Sequence, residues 1–204
     1  MHNLINAFPL YNFLKYCNAS SLEKVVLDCG AGGSNPPLSL FHEFGYETYG
    51  IEICKEQLKK VNEFCNSKSI DLNIIEGDMT NIHFKNEFFS FLYSYNTSVH
   101  MRKVDFSVAL AEFYRVLKHG GLCYVNFLSE DCDTFDKGVQ IAHGEFRNIE
   151  NGEEVIYCHY KDEEVKKIFH GFDIIYNEKR IIRRKINERE EYKSAYLDYI
   201  LLKK

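Results

Sequence analysis

The sequence has no C-x-x-C pair, no internal repeat, no low-complexity tract and no excess of positive charge. It also has no apolar run long enough to span a bilayer, and its first residues lack the charged-then-apolar pattern of a secretion signal. Each absence excludes something. The seven cysteines, at 17, 29, 54, 65, 123, 132 and 158, are odd in number and unsuited by spacing to a zinc site or a disulfide framework. They are expected to be reduced thiols, with Cys29 and Cys123 inside buried strands and Cys29 packing rather than attacking. A formal net charge of -5 gives no global pull toward nucleic acid or an anionic membrane. His100, His143, His159 and His170 do not have metal-ligand spacing, so no metal site is expected. The expectation is a cytoplasmic protein without a membrane segment. At 204 residues, 45% hydrophobic and 27% charged, the chain suits a single domain over 1–204 with one sizeable core.

What is present centres on Val25-Val26-Leu27-Asp28-Cys29-Gly30-Ala31-Gly32-Gly33-Ser34-Asn35-Pro36-Pro37-Leu38. Three apolar residues form a strand suited to burial on both faces, and Asp28 closes it with a carboxylate. Gly30, Gly32 and Gly33 let the backbone turn sharply and a ligand come close. Ser34 or Asn35 is placed to cap a helix that has Pro36 in its first position. The dinucleotide pattern G-x-G-x-x-G fails, because Asn35 stands where its third glycine belongs. A diphosphate is gripped by N–H groups at a helix N-terminus, and Pro36 and Pro37 have none. A ligand carrying a nucleoside but no phosphate fits better, and a nicotinamide oxidoreductase is disfavoured. Glu52 ends the next strand, Glu47–Ile51, about 20 residues past the glycines, the spacing at which an acid meets ribose hydroxyls.

A third strand, Leu72–Ile75, ends in Glu76-Gly77-Asp78-Met79, and Arg115-Val116-Leu117-Lys118-His119-Gly120-Gly121 precedes a fifth. Together these segments resemble the class I S-adenosylmethionine-dependent methyltransferases over roughly residues 24–128. Leu27–Gly33 resembles their first motif, and Gly50-Ile51-Glu52-Ile53 the acid after it. Glu76–Met79 resembles the adenine-side acid, and 115–121 the R-V-L-K-P-G-G turn, with His119 in place of proline and Ser34 where many members have another glycine. The resemblance implies S-adenosyl-L-methionine as cofactor. It implies contacts from Asp28, Gly30, Ala31, Gly32, Glu52, Ile53, Asp78, Met79, Tyr95 and Asn96. The glycine turn would take the amino-acid end, Glu52 the ribose hydroxyls and Asp78 the adenine amino group.

The alternation of strands and helices predicts a Rossmann-like, doubly wound α/β sheet of seven strands, mostly parallel with an antiparallel last strand. Ligands in such sheets sit beyond the carboxyl ends of the strands, where Asp28, Glu52, Asp78 and Tyr95-Asn96 all fall. Residues 1–20 are expected to form a helical cap, broken near Pro9, over one sheet edge or the substrate. Helices are expected at 36–44, 54–65, 105–118 and 162–169. In the fourth strand Phe89, Phe91, Tyr93 and Tyr95 share one face, opposite Phe88, Ser90, Leu92 and Ser94. In the helix after it, Val108, Leu110, Ala111, Phe113, Tyr114 and Leu117 supply the core contacts. Within 129–160, segments 141–149 and 155–160 flank Asn151-Gly152 as an inserted β-hairpin, a candidate substrate lid. The last two strands are 172–182 and 192–202.

Methyl transfer needs an aligned acceptor and, for a neutral one, a route for its proton. His100 is the candidate catalytic base, set just past the fourth strand; the alternative is a structural histidine under the lid. Tyr95 suits a cation–π contact with a sulfonium, or core packing. Arg180, Arg183, Arg184, Lys185 and Arg189 form a basic stretch that reads as solvated hairpin surface, or else as a contact for an anionic substrate or RNA. The function expected is methyl transfer to a small-molecule acceptor. The alternative is a non-catalytic S-adenosylmethionine-binding regulator or interaction protein. Nucleic acid is not expected as a partner, and the oligomeric state is left open.

Overall fold

The computed structural model describes residues 8–150, 152–187 and 191–204. Its centre is strand β1, Val25–Cys29. Parallel to β1 lie β2 (Glu47–Glu52) on one side and β4 (Phe89–Ser94) on the other. Beyond β2 comes β3 (Ile74–Glu76), and beyond β4 comes β5 (Leu117–Ser129). The chain thus winds one way through β1, β2 and β3 and the other way from β4 to β5, which puts the switch point between β1 and β4. β10 (Glu191–Lys203) runs antiparallel to β5, and β9 (Phe172–Lys185) antiparallel to β10.

These are the seven expected strands, and three more join them. β6 (Val139–Ala142), β7 (Glu145–Glu150) and β8 (Glu153–Tyr160) form an antiparallel ribbon. β8 pairs in parallel with the tip of β5 through Leu128–His159 and Ser129–Tyr160. On its other side Leu128 faces Tyr196 of β10. A strand has only two edges, so β8 lies on the β4 side of β5, beyond the end of β4. The expected hairpin is therefore the larger part of a three-stranded roof set over the switch point.

The helices pack on both faces. α1 (Phe8–Ala19), α2 (Leu38–Glu43) and α3 (Lys55–Lys68) follow the first half of the chain, and α4 (Lys103–Val116) and α5 (Asp162–Lys166) the second. Among the described residues no helix is long and apolar enough to cross a membrane. α1 does not cover an edge. Phe13 packs on a face, with ring centroids 6.1 Å from Phe41, 6.3 Å from Tyr93 and 5.9 Å from Tyr124. Pro9 does not break this helix; it sits in the first turn, where a missing N–H costs nothing. The part of the expected cap that includes Leu4 and Ile5 lies outside the described residues.

Three other expectations are corrected. Neither Ser34 nor Asn35 caps α2; Pro37 holds the N-cap position without a side-chain bond, and Ser39 Oγ donates to Pro36 O at 2.9 Å. Phe89 leaves the face of Phe91 and Tyr93 and joins Phe84, Phe88 and Leu92 in the opposite cluster. At this point the pairing with β5 slips, Phe89 facing Leu117 and Phe91 facing Leu122. In α4 the buried stripe is Phe106, Ala109, Leu110, Phe113 and Val116, while Val108 and Ala111 face outward. Cys29 and Cys123 are buried thiols, as expected.

Candidate functional site

The glycine turn after β1 is fixed against the end of β2. Gly30 N–H and Ala31 N–H both donate to Ile51 O, at 2.9 and 3.0 Å. Gly30 adopts φ +99°, and a Cβ there would collide with Thr97. A Cβ at Gly32 would collide with the Glu52 carboxylate. The turn therefore touches both acids and hydroxyls of the neighbouring strand ends through bare backbone. Three of its N–H groups, those of Gly30, Ala31 and Gly33, are already used, and Pro36 and Pro37 contribute none, which leaves little to grip a phosphate.

Glu52 and Asp78 are oriented in the same way. Cys54 N–H donates to Glu52 Oε1 at 2.8 Å, and Thr80 N–H donates to Asp78 Oδ1 at 2.8 Å. Each carboxylate thus keeps one oxygen for another donor. A cavity of about 220 Å³ opens beside them, lined by Gly30, Glu52, Ile53, Asp78, Met79, Thr97, His100 and Met101, among others. A smaller one, about 130 Å³, continues past Ile51, Gly77 and Asp78 to the apolar side chains of Ile75, Ile82 and Phe84. An elongated nucleoside fits this shape: a two-oxygen acceptor near its middle, a second acid further on, and an apolar slot beyond.

Asp28 and Ala31 are buried behind the turn rather than on the cavity wall. Burial pushes the Asp28 carboxyl up to about 8, the Tyr93 hydroxyl lowers it and the nearby charge of Glu52 adds to the rise. Asp28 Oδ2 and Tyr93 Oη are both buried, and neither reaches good hydrogen-bond geometry with a partner among the described residues. Gly32 lies against Glu52 rather than on the wall. Tyr95 turns to the α1 side, its ring 6.2 Å from Tyr124.

Asn96 lines a second cavity. It holds φ +57°, fixed by a reciprocal amide pair: its N–H donates to Asn126 Oδ1 at 2.8 Å, and Asn126 Nδ2 donates to Asn96 Oδ1 at 2.7 Å. Ser98 Oγ donates to Asn126 O. The fully buried Asn126 thus pins the turn that carries Thr97 and His100. The second cavity measures about 300 Å³ and lies between this turn, the tip of β5, the roof and the β9–β10 ribbon. Tyr157, Arg184, Tyr192, Ser194 and Tyr196 line it.

His100 borders both the 220 Å³ and the 300 Å³ cavities. Its Nδ1 lies 3.1 Å from Ile156 O in the roof, and the ring packs 5.1 Å from Tyr157. A carbonyl only accepts, so Nδ1 carries the proton and the neutral ring keeps Nε2 as its acceptor. The roof is tied down again at Glu145, a buried carboxylate taking Lys103 N–H at 2.8 Å and Arg102 Nε at 3.0 Å.

Sequence reasoning missed Thr97, Met101 and the second cavity. Tyr192, Ser194 and Tyr196 alternate along β10 and so share a face. That period-two signal was present, but nothing local says what the face covers. Of the basic stretch, Arg180 is taken by Asp198 at 3.0 Å and Arg183 by Glu191 at 3.3 Å. Arg189 lies outside the described residues.

Comparison with known proteins gives three findings. The family model described as "Methyltransferase domain" matches residues 27–125. A curated relative, sterol 24-C-methyltransferase of Pneumocystis carinii (strain B80), is 29% identical over 164 residues, 76% of this chain. The chain spans only 41% of that relative's length. Among solved structures, an S-adenosylmethionine-dependent methyltransferase of Methanosarcina mazei superimposes with a TM-score of 0.75 at 20% identity, covering 93% of this chain and 96% of the other. The 1,6-didemethyltoxoflavin-N1-methyltransferase of Burkholderia thailandensis, solved with its substrate and S-adenosylhomocysteine bound, gives 0.68 at 13% identity, covering 96% and 76%. At these identities the solved structures speak for the fold.

Proposed function

Because this chain carries a methyltransferase domain of the class I S-adenosylmethionine-dependent family, we propose that it transfers a methyl group from that cofactor to a small-molecule acceptor. The observation that carries this reading is the position of His100 on the shared wall of two cavities. One is shaped for a nucleoside and the other lies between the His100 turn, Tyr157 of the roof and the β9–β10 ribbon.

S-adenosylmethionine, held there, would supply an electrophilic methyl on a sulfonium. The chain's own residues do the rest. Glu52 offers a free carboxylate oxygen to ribose hydroxyls and Asp78 one to the adenine amino group, with Ile75, Ile82 and Phe84 beside the base. Gly30 brings bare backbone toward the amino-acid end, Asp28, Ala31 and Gly32 support that turn from behind, and Ile53 and Met79 border the nucleoside. Asn96 and Asn126 hold the segment between the cavities in one conformation, which favours a near-attack arrangement. Residues 129–160 act as the lid, excluding water from the acceptor. His100 Nε2 takes the acceptor's proton, while the Ile156 carbonyl fixes the tautomer. Tyr95 packs against the sheet and contributes indirectly, through the turn it precedes.

A sterol, the acceptor in the fungal relative's name, presents one polar group on a large apolar body. The second cavity has mostly polar side chains and suits a smaller polar molecule.

The test is transfer of labelled methyl from S-adenosylmethionine to a panel of small oxygen, nitrogen and sulfur nucleophiles. Wild type should label at least one. With that acceptor, His100→Ala should lose about a hundredfold or more in turnover, a general-base effect, while S-adenosylhomocysteine affinity stays unchanged. Label appearing only in macromolecules would overturn the small-molecule reading, and full turnover in His100→Ala would remove the base.

A further inference from the structure

We infer that the second cavity selects an acceptor bearing an anionic group, recognised by Arg184 and held flat against the tyrosines of its wall. This rests on the methyltransferase reading above and names the acceptor class within it.

The argument starts from strand register. On β10, Tyr192, Ser194 and Tyr196 lie on one face, and their partners on β9 are Arg184, Ile182 and Arg180. Two guanidinium groups therefore flank the same wall. They have different fates. Arg180 is half-sequestered, paired with the buried carboxylate of Asp198 and stacked 4.6 Å over the Tyr196 ring. Its charge is spent. Arg184 borders the cavity and has no ion pair or hydrogen bond among the described residues. The acid beside this wall, Glu150, is already the acceptor of the Tyr157 hydroxyl at 2.8 Å. Arg183, the next cation along, points to the other face of β9 and pairs with Glu191.

A fork-shaped cation at a cavity wall, without an acid of its own among the described residues, is suited to a carboxylate or phosphate on the ligand. Its surroundings specify the rest. Tyr157 has its hydroxyl occupied, so it presents ring surface. Tyr192 stands on the same wall beside Ser194 and Thr134. The wall therefore combines aromatic faces with polar side chains, which suits a planar ligand body. His100 borders both this cavity and the nucleoside cavity, so the group to be methylated lies on its side. A compact arene with a hydroxyl or amino group at one end and an anion at the other meets all three constraints.

The size of the effect follows from exposure. A charge-assisted hydrogen bond contributes about 1.5–3 kcal/mol when desolvated, and Arg184 is exposed enough to fall at the low end, about tenfold in affinity.

The experiment titrates hydroxybenzoates and aminobenzoates, each beside its uncharged carboxamide, into the protein loaded with S-adenosylhomocysteine, using ligand-observed NMR or calorimetry. Carboxylates should bind about tenfold more tightly than their carboxamides. Arg184→Gln should remove the difference, Arg184→Lys should keep part of it, and neither should change S-adenosylhomocysteine affinity. Equal binding of the two series, no binding of either, or a carboxylate preference that survives Arg184→Gln overturns the inference. If S-adenosylhomocysteine does not bind at all, the methyltransferase reading fails. The same ratio, measured on the unliganded protein, then still decides for or against the anion site.

Discussion

At the scale of single residues, the account turns on side chains placed where the solvent would not put them. Asp28 is the clearest. Burial raises its carboxyl to about 8 from an ordinary value near 3.8. The folded protein therefore holds a proton there that the unfolded chain gives up. Between about pH 4 and 8 the folded state binds more protons than the unfolded one, so this residue's contribution to stability falls as pH rises through that window. At its steepest the change is about 1.4 kcal/mol per pH unit. Asp28→Asn, neutral throughout, should flatten this slope and raise the melting temperature near pH 8 more than near pH 5. Thermal melts of the unliganded proteins across that range check it, and parallel curves would show that Asp28 is not protonated in the fold. The chemistry-bearing residues were legible in the sequence to different degrees. Glu52 and Asp78 end strands in register with a glycine turn, so local spacing was enough to place them on one cavity. Tyr95 shows the limit of such reasoning: alternation gave its face correctly, with Phe91 and Tyr93, but the sequence did not tell that this face meets α1 and not the ligand.

At the scale of elements, the roof differs most from what could be read. Its hairpin was legible, since Asn151-Gly152 between two apolar runs is a local signal and β7 and β8 pair on either side of it; Asn151 itself lies outside the described residues. Its seat was not. It depends on Leu128–His159, a pairing between residues 31 apart in the chain, and on β5 outrunning β4. The roof is held by few bonds, chiefly Glu145 to Arg102 and Lys103 and Ile156 to His100. Losing Glu145 leaves a backbone N–H and a guanidinium without their acceptor, a cost of about 1–3 kcal/mol paid locally. Glu145→Ala should speed amide exchange across 139–160 while leaving β1, β4 and β5 protected. Exchange rising uniformly over the sheet would mean that the roof and the sheet open as one unit. Phe89 carries the same lesson at smaller scale, because its face departs from the one simple alternation assigns where the pairing with β5 slips.

At the scale of the whole molecule, the fold class was legible because each βα unit announces itself locally, and the order of the units leaves one doubly wound topology. The second cavity was not, because its walls come from 96–100, 128–134, 157, 184 and 192–196, brought together only by the completed sheet. The central claim is that the strand-end cavity takes an adenosyl group without phosphates, held by Glu52. Calorimetric titration tests it most directly. Wild-type protein should bind S-adenosylhomocysteine and not NADH. Glu52→Ala, still folded, should bind the thioether about 1–3 kcal/mol more weakly, the usual loss when a ligand's polar groups are left unpaired. Binding of NADH in preference to S-adenosylhomocysteine, or unchanged S-adenosylhomocysteine affinity in the folded Glu52→Ala protein, would contradict the account.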